Sequence, residues 1–165
     1  MRSRMQVRIG VGVLLTLLGA VSVASAAGMA KSGKYTSQFG WIFKGDVQDL
    51  GPDRSVSTGV VSGVMFNTAG KPFLNKTLTA CALILDVNKG QVDAKGTCTM
   101  TDVDGDKAFI EWKCKGTMPA CPGDENFIGG TGKYTGLTGA STFQGNFIGK
   151  TGAGWSDWKG EYKLP

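Results

Sequence analysis

Three alternating carboxylates have the spacing that most directly suggests chemistry in this sequence. Asp102, Asp104 and Asp106 surround Gly105 in the segment TDVDGDK, an arrangement similar to the start of a calcium-binding loop. Calcium takes about six to eight oxygen ligands, and the helix-flanked loop ends on a glutamate at its twelfth position. Counted from Asp102, that position is Lys113. We therefore expect no metal site and predict a β-hairpin turn in which Gly105 has a positive φ.

Four cysteines form the second group of residues that could take part in chemistry: Cys81, Cys98, Cys114 and Cys121. An even number of cysteines in an exported chain is typical of disulfides, and four cysteines allow three pairings. The alternative is a metal site built from four thiolates. Such sites usually contain a C-x-x-C pair, which this sequence lacks. We predict two disulfides.

The pairing follows from a predicted hairpin centred on Lys89 and Gly90. A two-residue turn here gives the two strands one apolar face and one polar face, as expected for a half-buried strand pair. Side chains directly opposite each other have Cβ atoms about 5 Å apart, which local twist closes to disulfide distance. Counting outward gives the pairs Val87 with Val92, Leu85 with Ala94, Leu83 with Gly96, and Cys81 with Cys98. Cys114 and Cys121 then form the second bridge.

The length of the loop around Gly105 determines the direction of the Glu111 side chain. A three-residue loop, Asp104–Asp106, places Glu111 on the solvent face, whereas a two-residue turn directs it inward. The first register is favoured because it gathers these side chains on one face: Cys98, Met100, Ile110, Trp112 and Cys114. We therefore do not assign Glu111 as a buried acid or base.

The glycine-rich run from Phe127 to Gly145, FIGGTGKYTGLTGASTFQG, fits neither nucleotide-binding motif. After Gly130 and Gly132 the next glycine is Gly136, one residue too late for G-x-G-x-x-G. The later segment Gly149–Thr151 lacks the upstream glycine of a P-loop. We expect no nucleotide or other cofactor. The glycines instead predict bends in barrel strands, at Gly129, Gly130, Gly132, Gly136 and Gly139.

The first 26 residues are typical of a signal peptide. Arg2, Arg4 and Arg8 precede an apolar run of about 15 residues, and Ala24–Ala26 supplies the small-residue cleavage signal. The run is shorter than the roughly 20 residues that cross a bilayer, so an uncleaved anchor is disfavoured. We expect residues 27–165 to form one secreted or periplasmic domain with no stable membrane anchor.

Composition excludes several classes of function. The sequence contains no histidine, which removes Ser-His-Asp and Cys-His catalysis and histidine-ligated zinc. It has 18 basic and 13 acidic residues, but three of the arginines lie in the leader and the lysines are scattered. A nucleic-acid-binding face needs clustered basic residues, so we expect no nucleic-acid partner. The oligomeric state stays open.

The rest of the sequence predicts strands that would position these residues. No segment after the leader shows helical periodicity, and turn residues separate short β-rich runs at regular intervals. A closed barrel leaves no strand edge exposed, and about eight strands enclose a lumen for side chains or one small ligand. Short strands without helices are typical of a sandwich or a barrel. We predict an all-β fold, a single small antiparallel barrel, with strands at residues 34–44, 56–67, 77–87, 92–101, 107–115, 127–138, 140–148 and 155–163.

Apolar side chains on the predicted inner faces are the candidates for the lining of this lumen. They are Trp41, Phe43, Phe66, Leu83, Leu85, Met100, Ile110, Trp112, Tyr134 and Phe143. Such residues are more often plain core than pocket. The partner that a lined lumen implies is a small apolar ligand.

Three motifs carry a resemblance to known proteins. TDVDGDK followed by FIEW, the run GGTGKYTGLTGASTF and a closing W-x-G-x-Y look like a group of bacterial exported proteins of unassigned activity. Their glycine motif is similar to that of the allene oxide cyclase and dirigent barrels of plants. The resemblance covers most of residues 77–164 and implies an allene oxide cyclase-like, calycin-like barrel. For the cyclases it implies an apolar lumen with a buried carboxylate and an ordered water, and for dirigent proteins lumen acids and an arginine that orient phenoxy radicals.

Two functions are consistent with these patterns. The first is an exported barrel that binds a small apolar ligand or serves as an envelope protein. The second is a cyclase-like isomerase or dirigent-like catalyst that acts on a lipid or phenolic in the lumen. The absence of histidine and of an assigned inward acid favours the first, and Arg54 lies in a predicted turn. An inward carboxylate with a raised pKa would favour the second, and the candidates are Asp46, Asp49, Asp86, Glu111 and Glu161.

Overall fold

The structure, a computed structural model, describes residues 29–70 and 72–165. The predicted signal peptide lies outside the described residues. Almost every described residue belongs to a strand or to a short connection between strands, and none of the helical structure in this part of the chain is long and apolar enough to cross a membrane.

The described residues form eight antiparallel strands that close into a barrel, which confirms the predicted fold. Each strand pairs with its neighbours in the chain, and β1 pairs with β8 to complete the circle. The strands are β1 Ser32–Asp49, β2 Arg54–Gly70, β3 Thr77–Asn88, β4 Gln91–Thr101, β5 Lys107–Thr117, β6 Ala120–Gly130, β7 Thr138–Phe147 and β8 Ala153–Lys163.

The hairpin between β3 and β4 has the predicted register. Asn88 faces Gln91, Leu85 faces Ala94 and Cys81 faces Cys98. Lys89 and Gly90 form the turn with φ values of 50° and 77°, the left-handed conformation that two-residue hairpin turns require. Both disulfides are present, Cys81 with Cys98 and Cys114 with Cys121, so the predicted pairing is confirmed.

The loop between β4 and β5 is longer than predicted. Thr101 pairs with Lys107, so five residues form the connection instead of three. The connection is two residues longer, and because side chains alternate along a strand, each residue keeps its predicted face. Ile110 points inward and Glu111 is exposed. Gly105 has a φ of 87°, as the hairpin interpretation required.

The position of β6 is the main correction to the predicted strands. A strand was predicted over residues 127–138, but β6 runs from Ala120 to Gly130, and a short 3₁₀ turn at Gly132–Tyr134 follows it. Residues 122–124, which the predicted strand ranges leave outside any strand, lie inside β6. The glycine-rich run is thus the end of β6, a compact loop and the start of β7, rather than two strands bent at glycines.

One end of the barrel is closed by side chains from its loops and from the C-terminus. Phe73 and Leu74 precede β3, Tyr134 and Leu137 lie in the β6–β7 loop, and Leu164 follows β8; all are buried. The ring of Phe73 stacks on that of Tyr162 with centroids 3.8 Å apart. We call this the closed end, and the other end, which carries the β1–β2, β3–β4, β5–β6 and β7–β8 turns, the mouth.

Gly139 in the glycine-rich run is expected to stabilise the closed barrel. Its φ is 138°, and a Cβ atom added there would lie 2.2 Å from the carbonyl oxygen of Glu161 on β8. Gly139→Ala should therefore lower the free energy of unfolding by about 1–3 kcal/mol, measured by urea denaturation. Gly40→Ala is the control because a Cβ atom there meets nothing within 4 Å, and it should change stability by about 0.5 kcal/mol or less. Equal losses in the two variants would contradict this account.

Candidate functional site

The mouth half of the barrel contains a cavity of about 240 Å³. Inward-facing residues of all eight strands line it, because alternate residues of each strand point to the barrel axis. Met118 and Lys150, which belong to two turns of the mouth, are also part of its wall. The cavity therefore extends from the middle of the barrel to the mouth.

The predicted lumen residues divide into three groups. Trp41, Phe43, Leu83, Leu85, Trp112 and Phe143 line the cavity. Met100, Ile110 and Tyr134 instead belong to the packed core towards the closed end, where Met100 and Ile110 are fully buried. The interior is thus part solid core and part cavity.

Phe66 was wrongly assigned to the lumen. Its side chain is 51% exposed, whereas the adjacent Met65 is fully buried. Because neighbouring residues of a strand point to opposite faces, Met65 occupies the inward position and Phe66 the outward one. Phe66 faces Gln38 of β1 on the outside of the barrel.

Both disulfides form part of the cavity wall. All four cysteines line the cavity, and each bridge joins two adjacent strands, β3 with β4 and β5 with β6. The same bridges that staple the hairpins therefore also present sulfur atoms to the lumen. The wall is consequently apolar and polarizable on this side.

A buried carboxylic acid, Glu125, lies on the inner face of β6. Its side chain is 1% exposed. The hydroxyl of Tyr35 lies 3.5 Å from Glu125 Oε1, to which it donates, and 2.5 Å from Ser141 Oγ. Oε2 has no hydrogen-bond partner within the described part of the chain. Complete burial raises the pKa of Glu125 to about 8, and hydrogen bonds with Ser141 and Tyr35 oppose this only in part. Glu125 is therefore largely protonated at neutral pH.

Glu125 does not itself line the cavity. Its backbone partner on β5 is Trp112, which does line the cavity. The five acids considered from the sequence are elsewhere: Asp46, Asp49, Glu111 and Glu161 are exposed, and Asp86 is paired with Arg54 at 2.7 Å. Arg54 lies at the start of β2 and is exposed, away from the lumen.

The strand pattern did contain a signal for Glu125. Cys121, Glu125 and Phe127 are separated by even numbers of residues and therefore share one face of the strand. All three are buried on the inner face of β6. Because β6 was predicted to begin at Phe127, Glu125 was placed outside any strand and its inward direction was missed.

The three alternating carboxylates are engaged at the closed end. Lys133 Nζ lies 2.6 Å from Asp102 Oδ2 and also pairs with Asp104, while the Tyr134 hydroxyl donates to Asp102 at 3.1 Å. Burial alone would raise the pKa of Asp102, but hydrogen bonds from Lys133, the Asp104 amide and Tyr134 hold it below its usual value. This cluster ties the β4–β5 loop to the β6–β7 loop.

The sequence matches no protein-family model and no curated protein. Among solved structures, the pterocarpan synthase dirigent protein GePTS1 is similar with a TM-score of 0.43 and 11% identity, over 91% of this chain and 100% of that chain. The pterocarpan synthase dirigent protein PsPTS1 is similar with a TM-score of 0.44 and 14% identity, over 82% of this chain and 97% of that chain. At these values the barrel assignment depends on the strand pairing of this chain itself.

Proposed function

We propose that this protein binds a small, largely apolar molecule in the mouth half of its barrel. The observation that carries the proposal is the cavity of about 240 Å³, whose wall is made almost wholly of aliphatic, aromatic and cystine side chains. Binding sites for small molecules are typically concave and apolar with a few polar groups. Burial of an apolar ligand against such a wall is favourable because both surfaces leave water.

The size of the cavity limits the ligand. An apolar protein cavity of about 150 Å³ holds one benzene molecule, so a volume of about 240 Å³ corresponds to one or two fused rings or a short branched chain. The closed end is filled by Phe73, Leu74, Tyr134 and Leu137. A ligand therefore enters through the mouth.

We further propose that the protein works outside the cytoplasm, after removal of residues 1–26. The two disulfides are consistent with an oxidising compartment. The arginines, apolar run and Ala24–Ala26 of the leader supply the export signal.

Filling the cavity should abolish binding. Ala94 is buried and lines the cavity, so Ala94→Phe places a ring in the space of the ligand. We expect its affinity for the bicyclic hydrocarbon tetralin, measured by isothermal titration calorimetry, to fall at least tenfold. Ala82→Phe is the matched control because Ala82 is exposed on the outer face of β3. If a folded Ala94→Phe variant binds tetralin as wild type does, the ligand site lies elsewhere.

The natural ligand can be sought directly. Native mass spectrometry of protein purified from its own host should show a bound mass that is lost on organic extraction. The same experiment with Ala94→Phe should show the empty protein alone. An identical bound mass in both proteins would count against the cavity as its location.

Catalysis is a second candidate function, and the observation in its favour is Glu125. A carboxyl group with a pKa of about 8 can donate a proton to a substrate at neutral pH. Glu125 is not among the residues that line the cavity, and for this reason we rank binding first. Conversion of the extracted molecule by wild type but not by Glu125→Gln would reverse the order.

A further inference from the structure

Strands β2 and β3 have apolar side chains on both faces. An antiparallel strand with one face in water normally alternates apolar and polar residues, whereas apolar residues on both faces are typical of a strand that is covered on both sides. The two strands together contain only two charged residues, Arg54 and Asp86, and these pair with each other at 2.7 Å. By contrast, β5 and β8 each contain four charged residues. The outer face of β2 and β3 therefore has the composition of a buried surface.

Large apolar side chains form one continuous patch on this side of the barrel. The strand register joins them, because Gly40 of β1 lies between Trp155 of β8 and Val64 of β2, and Val64 lies next to Leu78 of β3. Trp155 is 40% exposed at the edge of the patch. The other large side chains of the patch are 40–61% exposed and are Ile42, Val60, Val64, Phe66, Leu78 and Ile84. We call these six residues and Trp155 the apolar wall.

The apolar wall has the size of a subunit interface. The exposed parts of its side chains add up to roughly 700 Å², more than the largest apolar patch of about 300–600 Å² on a typical monomer. A stable complex buries about 800 Å² on each partner. The small residues Ser62 and Ala80, which pair with each other between the large side chains, supply further area. The wall is therefore large enough to hold a partner.

The charges around the apolar wall indicate the kind of partner. A surface that binds a membrane usually surrounds its apolar centre with lysine and arginine. Here the rim has both signs: Lys44 and Arg54 are accompanied by Asp46 and Asp86, and Asp157 lies at the β8 edge. A centre without charges is instead typical of contacts between identical subunits. In such a contact the same patch of each subunit meets the other.

We propose that the apolar wall is an interface at which this chain associates with a second copy of itself, wall against wall. Val64 lies near the centre of this interface, between Gly40 and Leu78 on the neighbouring strands. Association removes both walls from water, which is the main driving force for contacts of this composition. The interface lies on the side of the barrel and leaves the turns of the mouth free. The inference goes beyond the proposed function and does not depend on it.

The test is the mass of the protein in solution. Wild type purified from its own host should show at least twice the mass of one chain in sedimentation equilibrium at micromolar concentration. Val64→Lys and Leu78→Lys each place an unpaired charge in the interface while the side chain stays exposed in the single chain. Each should therefore weaken association by about a hundredfold or more, and the variant should sediment as one folded chain.

Ile128→Lys is the matched control for these variants. Ile128 is 56% exposed on β6, which lies four strands from β2 in the circle of eight, on the opposite side of the barrel. The same change from an aliphatic side chain to lysine at this position should leave the mass equal to that of wild type.

Three results would overturn the proposal. The first is a wild type that has the mass of one chain at every soluble concentration. The second is an association that persists in both Val64→Lys and Leu78→Lys, since the contact then lies on another face. The third is a single chain that sediments with phosphatidylcholine vesicles as wild type but not as Val64→Lys, which would make the wall a membrane-binding surface. Tetralin binding is a separate readout, and its absence in wild type would overturn the proposed function alone.

Discussion

Loss of the β3–β4 disulfide is expected to destabilise the protein severely. In the chain-entropy model a bridge across the 17 residues from Cys81 to Cys98 contributes about 3 kcal/mol. The whole domain is expected to have a free energy of unfolding of only about 5–15 kcal/mol. Cys81→Ala/Cys98→Ala should therefore lower the melting temperature by on the order of 10 °C, measured by scanning calorimetry.

The second bridge provides a graded comparison. Cys114 and Cys121 are separated by 7 residues, so the same model gives about 2.4 kcal/mol for their bridge. Cys114→Ala/Cys121→Ala should thus lower the melting temperature less than the first double variant, and a reducing agent should lower it more than either. Unchanged melting of the wild type under full reduction would refute the stabilising role of both bridges.

The free energy of unfolding should fall as the pH rises from about 4.5 to about 8, because of Glu125. Its pKa is raised from 4.5 in the unfolded reference to about 8 in the fold. Below pH 4.5 Glu125 is protonated in both the folded and the unfolded state, so its titration does not change the free energy of unfolding. Between the two values the unfolded state releases a proton that the folded state keeps, so stability decreases by about 1.4 kcal/mol per pH unit. Above pH 8 both states are ionised and the loss levels off.

Glu125→Gln should remove this slope. The neutral amide has the shape of the protonated acid and both donates and accepts, so the variant should be more stable than wild type at pH 8 by about 3 kcal/mol or more. Urea denaturation at several pH values measures both effects. Glu111→Gln on the exposed face of β5 is the control and should follow the wild-type profile. A wild-type profile parallel to that of Glu125→Gln would show that Glu125 has an ordinary pKa in the fold.

The β3–β4 hairpin could be predicted residue by residue because two independent signals agree there. Lys89 and Gly90 define the turn, and the alternation of apolar and polar residues then fixes the register up to the Cys81–Cys98 pair. A slip by one residue would expose the whole apolar face. The register was therefore determined by local sequence alone.

The sequence around β6 and in β2 is less informative. Pro119, Pro122 and Gly123 are typical of turns, yet Pro122 and Gly123 lie within β6. In β2 both faces carry apolar side chains, since Val60, Val64 and Phe66 are exposed while Met65 is buried. Without alternation the inward set cannot be distinguished, which is why Phe66 was misplaced. The cavity itself depends on how side chains of eight strands meet across the barrel, which no local pattern encodes.

The boundary between β1 and β8 is the one pair of neighbouring strands that no turn of the chain connects. Both disulfides join strands that are consecutive in the chain, and none in the described residues links β1 to β8. Each hairpin can therefore be oxidised on its own as the chain emerges, before the circle closes. The β1–β8 boundary forms only when the two ends of the domain meet, and hydrogen bonds and packing alone hold it. If an oxidised chain opens at this boundary, it becomes a curved sheet with two free edges, and its two disulfide-bonded hairpins stay intact.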